Sequence, residues 1–191
     1  MDFIAELQGH EIHFVEDTHE YFVDGEPVPS VTQVLSRKFG GKYKLVNPKV
    51  LEVARNKGIE VHDAIEHYCR TGEVADLKEV RNFKFLQKHY GFSVVTNELP
   101  VLLCQDDKPI TVGRLDLVLS MDGETGLADI KRTASLDKEY LAHQLNLYRL
   151  AYTQSYGEEI KFLRGIHLRE NVRKFVNIPI NESIVAELLK E

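Results

Sequence analysis

Asp116, Asp129 and Lys131 are the residues of this chain best suited to act together on a substrate. They lie in Gly113-Arg114-Leu115-Asp116 and Ala128-Asp129-Ile130-Lys131, on either side of the turn segment Met121-Asp122-Gly123-Glu124-Thr125-Gly126. Strand side chains alternate faces with period two, so Asp129 and Lys131 project the same way. The Asp-Gly turn folds the strand bearing Asp116 back beside them. Two carboxylates that close repel each other unless a cation lies between them. A few carboxylates, with water and phosphate completing the shell, is the usual setting for magnesium. The lysine would offset negative charge developing on a phosphate. That is the equipment of a phosphodiester hydrolase. Asp-x-Lys on a strand is also common on a solvated face. Against that reading, Leu115, Leu117, Val118 and Leu119 surround the first Asp, and Leu127, Ala128 and Ile130 the second. Carboxylates in a buried sheet are costly unless paired or metal-bound.

The elements that must position these residues can be read from caps and periodicity. His13-Phe14-Val15 and Tyr21-Phe22-Val23, with Asp24-Gly25 after them, read as an N-terminal hairpin. Ser30 caps a short helix through about residue 38. Asn47-Pro48 starts a longer one towards Gly72, Asn as cap and Pro at its first position. Asp76 opens a third helix ending at Gly91. Strands follow near 92–104, 110–120 and 126–132, then a helix over about 137–156 closed by Gly157. Strands near 160–169 and 174–179 precede a helix capped by Asn181. The expectation is an α/β chain of one domain over 1–191: a mixed sheet flanked by helices, with a hairpin and helical part to about residue 91 and the core after it.

Composition sets the boundaries. At 191 residues, 43% hydrophobic and 28% charged, the chain can bury a core without disulfides. Two cysteines, Cys69 and Cys104, fit a reducing compartment such as the cytoplasm and are too few for a four-cysteine iron–sulfur cluster. No apolar run reaches the length of a membrane span, and the acidic N-terminus is not a signal peptide. The eight histidines lack zinc spacing. No glycine-rich loop suggests a nucleoside triphosphate. The net charge of −6 argues against coating nucleic acid by bulk charge. Yet residues 27–51 contain Arg37, Lys38, Lys42, Lys44 and Lys49 and no acid, interleaved with Phe39 and Tyr43. Bases track phosphates and aromatic rings stack on nucleobases, so this segment is a candidate strand contact; a solvated lysine-rich loop is the alternative.

Other residues are open to two readings. His62 sits on a helix with Val61 and Ile65, with Glu66 one turn away, as a packed or surface residue or as a ligand. Gln144 and Tyr148 are neighbours at i, i+4 on the long helix, at a core boundary or orienting the site. Glu98 is an additional carboxylate for a metal or a paired strand charge. Arg114 reads as a structural partner of an acid or as a phosphate contact.

Gly-Arg-Leu-Asp at 113–116, Ala-Asp-Ile-Lys at 128–131 and Gln144-x-x-x-Tyr148 together resemble the signature of the PD-(D/E)XK nuclease superfamily, in its RecB-like exonuclease branch. Gly58-Ile59-Glu60-Val61-His62 resembles the helix that carries a metal-binding histidine there. Pro29-Ser30-Val31-Thr32-Gln33-Val34-Leu35 resembles the N-terminus of phage-encoded and mitochondrial members. The motifs span about residues 20–150. The chain departs from the pattern with Asp129 where many members have Glu, and with Arg132 where Thr or Ser is usual. The resemblance implies an αβββαβ core and a metal-dependent deoxyribonuclease, most simply an exonuclease of phage recombination or replication in the host cytoplasm. It implies His62, Asp116, Asp129 and the Ile130 carbonyl as ligands of Mg2+ or Mn2+, imidazole favouring manganese. Asp116, Asp129, Lys131, Gln144 and Tyr148 would be catalytic, and Ser30 would join Arg37, Lys38, Lys42 and Lys44 on the DNA. A homo-oligomer or a recombination partner protein is compatible with it. The competing classes are a non-catalytic nucleic-acid-binding module and a partner-binding protein whose stability ignores metal.

Overall fold

The structure is a computed structural model that describes residues 2–41 and 46–189. Four strands come first: β1 (Phe3–Leu7), β2 (His10–Val15), β3 (Glu20–Val23) and β4 (Glu26–Val28). They form an antiparallel sheet in the order β1-β2-β3-β4. The expected hairpin, β2–β3, is therefore only its middle. Gln8-Gly9 and Asp24-Gly25 supply the left-handed φ that the two outer turns require. The inner face buries Ile12, Phe14, Tyr21 and Val23 against Leu102 and Val112 of the main sheet, and Gln8 Nε2 donates to Leu102 O at 2.8 Å.

Helices α1 (Val31–Phe39), α2 (Pro48–Thr71) and α3 (Lys78–Tyr90) follow. Ser30 caps α1 with a complete capping box: its hydroxyl accepts from Gln33 N, and the Gln33 side chain accepts from Ser30 N. Asn47 caps α2, with Pro48 at its first position. Helix α3 corrects the expectation. It begins at Lys78, two residues after Asp76, with Leu77 at the cap and no side-chain cap bond. Asp76 instead meets Arg81 at 2.7 Å.

The main sheet comprises β5 (Ser93–Gln105), β6 (Lys108–Met121), β7 (Glu124–Lys131), β8 (Phe162–Arg169) and β9 (Val172–Ile178), hydrogen-bonded in that order. Its neighbours are antiparallel except β7 and β8, which run parallel. A parallel neighbour needs a crossover, supplied by α4 (Lys138–Tyr156), capped by Asp137 and closed by Gly157 in the left-handed region. Helix α5 (Glu182–Leu188) is capped by Asn181. From α3 to β8 the order is helix, three strands, helix, strand. The sheet is mixed and covered on both faces. Val61, Ile65, Val80, Phe83 and Leu86 of α2 and α3 share a core with Leu119, Ala128, Ile130 and Ile166. On the other side α1, α4 and α5 contribute Leu35, Leu141, Leu145 and Val185 against Val118, Leu127, Leu163 and Ile178. Among the described residues no helix is long and apolar enough to cross a membrane.

Candidate metal centre and catalytic lysine

The turn at Asp122-Gly123 sets the β6–β7 register, Met121 opposite Glu124 and Leu117 opposite Ala128. One step beyond the last pair, Asp116 uses its side chain as the next rung: Oδ2 accepts from Ile130 N at 2.8 Å. His62, from α2, arrives at the same end of the sheet. Its Nε2 donates to Ile130 O at 3.0 Å, and its Nδ1 lies 3.7 Å from Asp116 Oδ2. Glu98 of β5 completes a group. One ligand atom from each of His62, Glu98 and Asp116 lies within 4.8 Å of the others. Glu98 holds a positive φ of 49°, a conformation costly for a residue with a Cβ. The register of β5 on β6 shifts just before it, between Val94 and Thr96, so a bulge re-aims the strand where the carboxylate enters the site. The Arg114 guanidinium pairs with Glu98 at 2.5 Å. Even so, burial and the neighbouring Asp116 push the Glu98 carboxyl up to about 7.

Asp129 and Lys131 emerge together from β7, as the alternation requires. Asp129 is 3% exposed, and its Oδ2 lies 2.7 Å from Lys131 Nζ. Lys131 is the one partner of this oxygen among the described residues. Burial raises the Asp129 pKa, Lys131 pulls it down and Asp116 pushes it up; the net shift is upward. Burial lowers the Lys131 pKa, but Asp129 and Asp116 outweigh it, and the ammonium is retained. The site thus holds two carboxyls, Glu98 and Asp129, that are reluctant to ionise beside Asp116. That is a pocket short of positive charge. A divalent cation fits this donor set: imidazole, carboxylates and a carbonyl.

Helix α4 backs the site. Tyr148 is buried and its hydroxyl donates to Arg114 O at 3.1 Å, which pins β6 two residues before Asp116. Gly113 makes room for it: a Cβ there would stand 2.8 Å from Tyr148 Cε1 and 3.2 Å from Val31 Cγ2. We expect Gly113→Ala to cost about 1–3 kcal/mol by overpacking, read as a lower urea midpoint; an unchanged midpoint would mean that the ring has room to move. Gln144 is buried one turn earlier, its Oε1 without a partner among the described residues. Ser30 is committed to its cap and to a bridge with Val112. Arg37 is exposed, and Lys38 lies 3.9 Å from Glu187. Lys42, Tyr43 and Lys44 lie outside the described residues. A cavity of about 330 Å³ opens beside Lys131, lined by Thr32, Ser36, Phe39 and Tyr140 among others.

Sequence reasoning left Glu98 undecided and missed the partner of Arg132. That guanidinium turns away from the site and meets Glu79 of α3 at 2.8 Å, where Glu79 is 1% exposed. Glu79 lies 53 positions away, and no local pattern joins the two.

No protein-family model matches the chain, and no curated protein matches it. Among solved structures, one with a similar course is titled "Crystal structure of SSO0001". It is 15% identical, with a TM-score of 0.49, over 85% of this chain and 73% of that one.

Proposed function

We propose that this protein is a divalent-metal-dependent deoxyribonuclease acting on DNA ends. The observation that carries the reading is the convergence of His62, Glu98 and Asp116 beside a buried Asp129–Lys131 pair at one end of the sheet. His62, Glu98, Asp116 and the Ile130 carbonyl would hold Mg2+ or Mn2+, with Asp129 on the flank. Such an ion supplies Lewis acidity, polarising a phosphodiester and making water more acidic. Lys131 brings an ammonium to the same spot and offsets the anionic charge that develops on phosphate. Asp129 fixes that ammonium, and Tyr148 fixes the strand that carries Asp116. The resemblance of the motifs at 113–116, 128–131 and 144–148 supports the same reading.

Two measurements test it. The first is digestion of end-labelled linear and closed circular DNA, with magnesium, manganese or chelator. Loss of the linear form alone, in metal alone, is the expected result; no digestion in any metal would leave only a binding module. The second is thermal melting. A ligand of the native state stabilises by mass action, so manganese should raise Tm. Asp116→Asn and Glu98→Gln should each suppress that rise, measured against each variant's own metal-free Tm. A full rise in Asp116→Asn would remove Asp116 from the site.

A further inference from the structure

Away from the candidate site, aromatic rings gather on the face shared by α3 and β9. Phe85 and His89 stack with centroids 5.6 Å apart and planes at 12°. His89 meets Tyr90 edge-on at 4.8 Å, and Tyr90 lies 4.7 Å from Phe175. Two of these rings have substantial open surface: Phe85 and Tyr90 are each 43% exposed. The Arg173 guanidinium sits 3.7 Å from the Phe85 centroid.

The charge on this face runs against that of the molecule. Helix α3 carries Lys78, Arg81, Lys84 and Lys88, all exposed, and its one acid, Glu79, is buried against Arg132. Strand β9 adds Arg173 on the same side as Phe175 and has no acid. Arg81 pairs with Asp76; among the described residues Lys78, Lys84, Lys88 and Arg173 form no ion pair. A protein of net charge −6 has no solubility need for a wholly basic face. A row of lysines needs no exposed phenylalanine, and a packed aromatic cluster needs no lysines. Single strands call for both: rings that accept a base face, and cations that follow the phosphates. A duplex keeps its base faces stacked inside, so the rings select the unpaired form.

We propose that the α3–β9 face is a binding platform for single-stranded nucleic acid, with bases stacked on Tyr90 and on the Arg173 guanidinium that covers Phe85, and phosphates met by Lys84 and Lys88. The platform starts near the catalytic end, because Glu79 at its head pairs with Arg132, the residue after Lys131. It goes beyond the nuclease reading and does not rest on it.

The chain contains no tryptophan, so Phe85→Trp places a single indole on the platform. Short oligothymidylate and oligouridylate are titrated into this variant in chelator, which separates binding from hydrolysis. Saturable quenching of the indole in either arm is expected, with little quenching by a duplex of equal length. In the same background Tyr90→Ala should weaken binding by roughly 5- to 150-fold, the loss of one stacked base. Lys84→Gln with Lys88→Gln should lower the slope of log affinity against log salt by about 1.4, at about 0.7 per contact. All four positions are exposed, and unchanged melting curves establish that the variants are folded. The proposal is overturned if labelled oligonucleotide binds without quenching the indole, if it does not bind, or if affinity and salt slope survive these substitutions. It is equally overturned if the substitutions instead abolish a self-association seen by sedimentation, which would make the face a contact between copies.

Discussion

Lys131→Met should lower the single-turnover rate of DNA hydrolysis on the order of 10²-fold or more, as loss of a positioned electrostatic donor does elsewhere. The ammonium lies 2.7 Å from Asp129 Oδ2, and its charge matters most when the phosphate carries its extra negative charge. Substrate binding in chelator should change little. The substitution leaves Asp129 without its counter-charge, but a carboxyl already pushed upward by burial can take up a proton, so the fold should persist. Lys131→Arg should not rescue the rate, since a planar guanidinium cannot replace a compact ammonium in that space. A rate within a few-fold of the parent, from a variant that melts normally, would remove Lys131 from the chemistry.

The largest expected effect on stability comes from the next residue. Arg132→Met should cost about 3–5 kcal/mol, the usual penalty for stranding one member of a buried ion pair. With roughly 2–4 °C per kcal/mol for a chain of this size, Tm should fall by about 6–20 °C. Glu79 is 1% exposed, and its Arg132 contact is 2.8 Å; the second contact of Arg132, to Glu170, is longer at 3.9 Å. Pairing Arg132→Met with Glu79→Gln should restore much of the loss, because no bare charge then remains inside. A loss under about 1 kcal/mol in the single variant would mean that water or another cation reaches Glu79.

The parts of this fold that were legible in the sequence are those written locally. Ser30, Asn47 and Asn181 mark helix starts because capping is a local interaction within the first turn. Asp129 and Lys131 share a face because the pleat has period two. Helix α3 was misplaced at its start because Asp76, a good cap by type, is drawn to Arg81 instead. The outer strands β1 and β4 went unseen: one is five residues long, the other three and interrupted by Pro27. Glu98 was undecidable for a sharper reason. One residue of slip exchanges the faces of a strand, and the shift between Val94 and Thr96 inserts such a slip just upstream. The Arg132–Glu79 pair and the α3–β9 aromatic face join segments far apart in sequence, which local periodicity cannot foresee.

Strand β9 ends the main sheet, and an open sheet edge is a template on which another chain can add a strand and begin to aggregate. Exposed Arg173, Lys174 and Asn177 punctuate it, and Pro179, just past its end, cannot donate to a growing ladder. Arg173 of the proposed platform is thus, with Lys174 on the other face, also a gatekeeper against fibril growth. Removing Arg173 and Lys174 together should therefore lower the concentration at which the protein stays dispersed, even in variants whose melting temperature is unchanged.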